Sequence, residues 1–455
     1  MRTNDGATTP DRPARSGGLL RALVGFACVP GLVGLGACDA GGGLGMFQAS
    51  PHERYVASLH SAELSETELG RAWIRASTAA LAEAPRVELP YREIGYFDPS
   101  RPGAVAFEVA LPAGQRLEAQ VTTEPASDEA WFLDLLRGDG EGWETVASAE
   151  GALEVSRRAD DPEVFLVRLQ PELLRGGRYE ILLQGVGSLA VPVEGAGRGN
   201  IGSGFGAPRN GGSRSHRGVD VFAPRGTPVL AATDGWITRV GTNRLGGNVV
   251  HLRGEDGLSF YYAHLDRPTV RAGARVRAAE PVGEVGNTGN ARNTPPHLHF
   301  GVFRRGEAVD PYGYLVDLGA GSPPVEAALR RLGDWVRSES SGLRLRGGPG
   351  TSFPILDELP ARSALRVEAA ARDWYRVRTA EGSLGFVAAR LTSGIEDPLT
   401  RRTLRRKVEL LAGPSRGAPP VASLPSGSTV SVGATAGEML LVTSPEGARG
   451  WIPAG

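Results

Sequence analysis

Five of the seven histidines in this 455-residue chain, His216, His251, His264, His297 and His299, fall within one segment. Imidazole is both a metal ligand and a proton carrier near neutral pH, so the clustering points to metal or acid–base chemistry. His297 and His299 flank a single leucine, and on a strand residues i and i+2 share a face, so both rings would project together. His216 is followed four residues later by Asp220, and then by Ala223-Pro224-Arg225-Gly226-Thr227-Pro228, whose prolines exclude a continuing helix. His216 and Asp220 are therefore expected to meet on an extended or looped segment. Imidazole and carboxylate donors suit zinc, and three protein ligands with an open fourth position mark a catalytic site, not a structural one. His251, in Val249-Val250-His251-Leu252, reads as a packing or surface residue.

The rest of the chain must carry and aim these groups. Its length allows roughly three or four domains. A formal net charge of −1 argues against a nucleic-acid partner, which would require a concentrated basic excess. Sixty-four glycines and thirty-three prolines, set between periodic apolar segments, indicate many turns and a mostly β, multidomain protein. Both cysteines, Cys28 and Cys38, precede residue 40, and the apolar run Ala22 to Ala37 follows a basic start, as in a signal peptide over residues 1–37. The ending Leu35-Gly36-Ala37-Cys38 resembles the lipobox of bacterial lipoproteins, which implies Cys38 as the site of lipid attachment. An ordinary signal peptide cut near Ala37 or Ala40 is the alternative. With Cys28 removed and Cys38 lipidated, disulfides, cysteine nucleophiles and cysteine-ligated zinc are excluded, leaving His, Asp, Glu or Ser for chemistry.

After a tether over residues 38–50, Ser50-Pro51-His52-Glu53 and Ser65-Glu66-Thr67-Glu68 read as capping boxes that open a helical hairpin over 51–85, with His52 and His60 facing solvent. Short alternating runs between Tyr91 and Val193 predict a β-sandwich accessory domain over 90–194, without histidine and so assigned an interaction or spacer role. The Gly-, Asn- and Arg-rich stretch Gly195 to Gly212 marks a boundary, and a helix is expected from about Pro324 to Val336. Beyond it Gly348-Pro349, Leu359-Pro360 and Gly385-Phe386 recur about 65 residues later as Gly413-Pro414, Leu424-Pro425 and Gly450-Trp451, the mark of a duplicated module.

His216-x-x-x-Asp220, the following Ala-Pro-x-Gly-Thr-Pro-Val, Tyr262-Ala263-His264-Leu265, Gly286-Asn287-Thr288-Gly289 and His297-Leu298-His299-Phe300 together resemble the lysostaphin-like, LytM-type zinc endopeptidases, over residues 195–318. The resemblance implies a compact, mostly antiparallel β domain in which His216, Asp220 and His299 bind zinc while His264 and His297 are the catalytic histidines. It implies a zinc-dependent endopeptidase that hydrolyses peptide cross-links or stem peptides of bacterial peptidoglycan. The nearby acids Glu255, Asp256 and Glu284 are given no role by it. Residues 338–393, with Asp373-Trp374-Tyr375-Arg376-Val377, look like a bacterial SH3-type small barrel, and 400–455 like a divergent second copy with Met439-Leu440 in place of the Trp-Tyr pair. Trp374, Tyr375, Phe386 and Trp451 are read as core residues ahead of ligand contacts. The expected setting is extracytoplasmic and membrane-anchored through the lipid, with peptidoglycan and cell-wall or division proteins as partners. A non-enzymatic wall-binding scaffold, or an activator of a cell-wall amidase, is the alternative that several non-catalytic modules around one small core suggest.

Overall fold

The computed structural model describes residues 49–125, 131–138, 142–149, 152–319 and 321–455. The expected signal peptide, Cys28 and Cys38 lie outside the described residues, as does most of the tether. Helix α1, Pro51–Ser61, opens on the expected box: the Ser50 hydroxyl accepts from the Glu53 amide at 3.2 Å, and the Glu53 carboxylate accepts from the Ser50 amide at 2.8 Å. The second box does not form. Helix α2, Glu68–Ala82, is capped by Thr67, and Ser65 is buried in a short 3-10 turn before it. That turn packs so closely on α2 that a Cβ at Gly70 would lie 2.0 Å from the Leu64 carbonyl oxygen.

His52 does not face solvent as its helix position suggests. It is buried, bonded to the Gln170 side chain at 2.8 Å, and stacked on Trp73. The sandwich beneath supplies the reason, because Trp73, Leu59 and Phe132 form one apolar cluster and the Trp73 indole donates to the Pro171 carbonyl at 2.8 Å. Burial holds the His52 imidazole low, at about 4, so it packs as a neutral ring. His60 is exposed.

Two antiparallel sheets follow. One orders Val105–Leu111, Glu163–Pro171, Trp131–Gly138 and Trp143–Ser148; the other contains Tyr91–Phe97, Gly177–Gly187, Gln115–Glu124 and Glu154–Arg158. Period-2 alternation turns Leu117, Ala119 and Val121 of one sheet toward Phe107, Phe165 and Val167 of the other, which is a core no single sheet could close.

The second sheet continues into the carboxy-terminal half of the chain. Tyr91–Phe97 pairs with Ala364–Ala371, matching Ile94 with Ala370 and Gly95 with Ala369, and the combined sheet has eleven strands. At this seam Glu93 and Arg376, 0% and 4% exposed, bond at 3.1 Å. Tyr91 and Tyr179 each donate to the Glu93 carboxylate at 2.7 Å, and Arg376 also reaches Glu368 at 2.9 Å. A buried ion pair persists only when its remaining donors and acceptors are satisfied, and here the tyrosine hydroxyls and a second carboxylate satisfy them.

The expected small barrels do not close. In the first module the order is Ile355–Leu359, Leu343–Arg346, Leu384–Ala388, Trp374–Thr379 and Ala364–Ala371, and the free edge of the last strand is taken by Tyr91–Phe97 and Trp335–Ser338. In the second, six strands run from Thr400–Thr403 to Pro420–Leu424, again as an open path. Trp374, Tyr375, Phe386 and Trp451 are all buried. The helix expected from about Pro324 to Val336 is absent: a 3-10 turn at Leu329–Arg331 leads into the strand Trp335–Ser338, with Gly333 between them at φ 77°. Val325, Leu329 and Leu332 spread over the first module's core, and that tertiary contact overrides the local helical pattern.

The histidine-bearing segment folds on an eight-stranded antiparallel sheet. Its central order is Gly235–Asn243, Gly247–Gly254, Ser259–Leu265, His297–Arg304, Val219–Phe222 and Ile201–Ser203. Val221, Leu252, Phe260, Leu298, Phe300 and Val302 make its core.

The seam between sandwich and first module generates a stability prediction. Arg376→Met should destabilise the chain by about 3–5 kcal/mol, because it strands the Glu93 charge among buried rings, and Arg376→Met with Glu93→Gln should recover a large part of that loss. Urea unfolding of the single and double variants reads both effects.

Candidate metal and acid–base centre

Three neighbouring strands bring the histidines and aspartate together. Antiparallel register sets Asp220 opposite His299 and Phe222 opposite His297, and on the other side sets Ala263 opposite His299. Leu298 and Phe300 are fully buried, so the alternate residues His297 and His299 must face the opposite side of the sheet. His216 lies just before its strand, and Gly218 lets the chain approach closely there. A Cβ at Gly218 would sit 2.3 Å from the Phe300 carbonyl oxygen and 3.0 Å from the His299 ring.

His216 Nε2, Asp220 Oδ1 and His299 Nδ1 form a tight triangle. The separations are 2.9 Å between the histidine nitrogens, 3.1 Å from His216 to Asp220, and 3.0 Å from His299 to Asp220. Tetrahedral zinc with bonds of about 2.0–2.1 Å separates its ligand atoms by about 3.3 Å, so two nitrogens and a carboxylate at these distances fit such an ion. Among the described residues this is the one group of three or more His, Cys, Asp or Glu donors converging in this way. Backbone partners fix which nitrogen faces inward. His216 Nδ1 lies 2.8 Å from the Gly204 carbonyl oxygen, which can only accept, so Nδ1 carries the proton and Nε2 offers its lone pair to the centre.

His264 and His297 border the triangle and obey the same rule. Their Nδ1 atoms donate to the Thr288 and Pro295 carbonyls at 2.9 and 2.8 Å, leaving each Nε2 as a base. His297 Nε2 lies 4.0 Å from Asp220 Oδ1, and the His264 and His297 rings are 5.1 Å apart. His264 has a φ of 63°, a left-handed conformation costly for a side-chain-bearing residue, held by a bond from its amide to Gly246 at 2.7 Å. The Gly286-Asn287-Thr288-Gly289 stretch helps place both residues: the Thr288 carbonyl receives the His264 ring, while the Gly286 carbonyl receives the His297 backbone amide at 3.0 Å.

Burial, reinforced by the neighbouring His297 and His299, holds His264 down at about 4, so its ring is neutral at pH 7 and accepts a proton. Burial also lowers His299. Burial would raise Asp220, but its close contacts with His216 and His299 outweigh that and keep the carboxyl below the ordinary range, hence ionised. His251 stands apart, half-buried beside Tyr261 on the neighbouring strand. Glu255 and Glu284 pair with Arg275 and Arg267, and Asp256 pairs with Arg158.

Sequence reasoning missed Arg209. The stretch Gly195 to Gly212, read as a boundary, instead forms one wall of the cleft. Ile201–Ser203 joins the sheet beside Val219–Phe222, and Pro208–Arg209 pairs with Arg214–Ser215. From there Arg209 donates to Asp220 Oδ2 at 2.8 Å and to the Ser203 hydroxyl at 2.7 Å, so Asp220 presents only Oδ1 to the histidines. No spacing rule ties Arg209 to Asp220, and glycine around it mimics a linker. The cleft over the whole arrangement measures about 630 Å³ and is also lined by Phe222, Tyr261 and Phe303.

Residues 214–311 match the model of peptidase family M23, and residues 341–393 match that of the bacterial SH3 domain. The chain is 38% identical over 140 residues to DD-carboxypeptidase/endopeptidase Mpg of Neisseria meningitidis, covering 30% of this chain and 31% of that protein. It is 43% identical over 144 residues to glycyl-glycine endopeptidase ALE-1 of Staphylococcus capitis, covering 29% and 39%. The catalytic domain of lysostaphin from Staphylococcus simulans is 38% identical, with 25% of this chain and 90% of that domain covered and a TM-score of 0.23. The likeness spans about a third of the length of these two curated relatives.

A partner that orients a ligating carboxylate typically contributes about 10–100-fold to metal affinity. Arg209→Gln should accordingly weaken zinc retention by about that factor while leaving the far-UV spectrum unchanged. Competition against a chelating dye measures it, and unaltered affinity would remove the positioning role.

Proposed function

We propose that this chain is a zinc-dependent endopeptidase that hydrolyses peptide cross-links or stem peptides of bacterial peptidoglycan. The observation that carries the reading is the convergence of His216 Nε2, Asp220 Oδ1 and His299 Nδ1 beside two further histidines, in an open cleft within the M23-matching segment. The relatives' names support the substrate class, since they specify endopeptidases, glycyl-glycine in one case and, for ShyC of Vibrio cholerae, peptidoglycan DD.

In this proposal His216, Asp220 and His299 hold zinc, whose chemistry is that of a Lewis acid: it polarises a carbonyl and makes water acidic enough to attack near neutral pH. His264 and His297 manage the protons. Each presents an unprotonated Nε2 toward the cleft, so one ring removes the proton from attacking water and the pair returns a proton to the departing amine nitrogen. Protonated in turn, the rings donate hydrogen bonds to the tetrahedral oxyanion. The backbone carbonyls of Thr288 and Pro295 keep both rings in the useful tautomer throughout.

The same proposal places the protein outside the cytoplasm, tethered by lipid at Cys38, with the carboxy-terminal modules lending affinity for the wall. Among the described residues no helix is long and apolar enough to cross a membrane.

The two sets of histidines should separate experimentally. His299→Ala is expected to lose zinc and hydrolysis of isolated peptidoglycan together, whereas His264→Ala should retain zinc and lose about 10²–10⁴-fold in turnover. Metal analysis alongside a fragment-release assay decides the matter, and undiminished hydrolysis by His299→Ala would overturn the proposal.

A further inference from the structure

The charges that line the cleft are unbalanced. Three arginines, Arg209, Arg214 and Arg217, and one acidic residue, Asp220, line the cleft, an excess of two positive charges before any metal is counted. Asp220 is already engaged by Arg209, His216 and His299, which leaves no acidic group in the lining for Arg214 and Arg217. Both are exposed, and among the described residues neither side chain has an ion-pair or hydrogen-bond partner. They sit on either side of His216 in sequence, at the rim of the centre. Phe222, Tyr261 and Phe303 also line the cleft.

We propose that Arg214 and Arg217 select peptides bearing a free carboxylate next to the scissile bond over neutral, side-chain-free bridges such as oligoglycine. The inference rests on the peptidase reading above and names the substrate class of that same site. Guanidinium recognises carboxylate through two parallel N–H bonds, and an arginine already waiting in an open cleft sacrifices no existing partner to do so. A neutral bridge leaves both guanidinium groups unused. The carboxylate has two chemical sources, a side chain or branch within a stem peptide and the free end of a chain.

The test uses the zinc-loaded full chain and four short peptides of stem type. One carries an internal side-chain carboxylate with an amidated end, one the matching carboxamide, one a free terminal carboxylate directly after the scissile bond, and one is amidated oligoglycine. At least one carboxylate peptide should exceed both neutral peptides about tenfold or more in kcat/KM, with the advantage shrinking as salt rises. In Arg214→Gln and Arg217→Gln the KM for that peptide should rise about 5- to 10-fold and the ratio to the carboxamide should fall toward one, with zinc content matching the parent as the control for folding. Preference for the internal or the terminal carboxylate identifies the source, and either supports the inference. Equal kcat/KM across all four peptides overturns it and leaves the peptidase reading standing. If zinc-loaded protein cleaves none of them and releases nothing from isolated wall, the peptidase reading fails and this inference falls with it.

Discussion

The register between Val219–Phe222 and His297–Arg304 is the constraint on which the site depends. It matches Asp220 with His299, and each strand alternates a core residue with a cleft residue, Val221 and Leu298 inward against Asp220, His297 and His299 outward. A slip of one residue would exchange the faces, driving a carboxylate and two imidazoles into the core and exposing the apolar side chains that now fill it. Each of those apolar groups contributes about 1.5–3 kcal/mol by burial, and an unpaired charge in the interior costs more. The donor triangle is therefore held by the hydrophobic pattern beneath it. The loop residues that finish the centre, His216 behind Gly218 and His264 in its left-handed turn, inherit their positions from that sheet.

A second set of buried polar contacts ties the other modules into one body. Glu93 and Arg376 weld the sandwich to the first carboxy-terminal module, and the sandwich in turn meets the histidine-bearing segment. Gln115 donates to the Gly313 and Val316 carbonyls at 2.7 and 2.5 Å, and Arg158 pairs with Asp256 at 2.7 Å. The sandwich carries no histidine in its sequence and, among the described residues, adds no group to the centre, yet it touches both neighbours through buried or half-buried polar side chains.

Much of the centre was legible because its residues are scarce and its geometry local. Histidine is rare here, two of the five stand at i and i+2, and a strand's period alone turns them to one face. What the sequence hid are relations between distant segments. Arg209 reaches Asp220 across a hairpin, and nothing in a Gly- and Asn-rich stretch distinguishes such a wall from a linker. His52 follows the spacing of an exposed helical face, but the sandwich covers that face and buries the ring. Barrel closure failed as an expectation for the same reason, since Ala364–Ala371 gives its edge to Tyr91–Phe97, a strand some 270 positions earlier. Local pattern states which face is apolar; it does not state what will cover it.

The most direct test of the account is release of soluble fragments from isolated peptidoglycan by the purified chain, with zinc and separately with a chelator, followed by mass analysis. The account predicts release that chelator abolishes and zinc restores, with fragment masses that correspond to cleaved peptide bonds. Release that persists in chelator, or no release from protein shown to hold zinc, would contradict it.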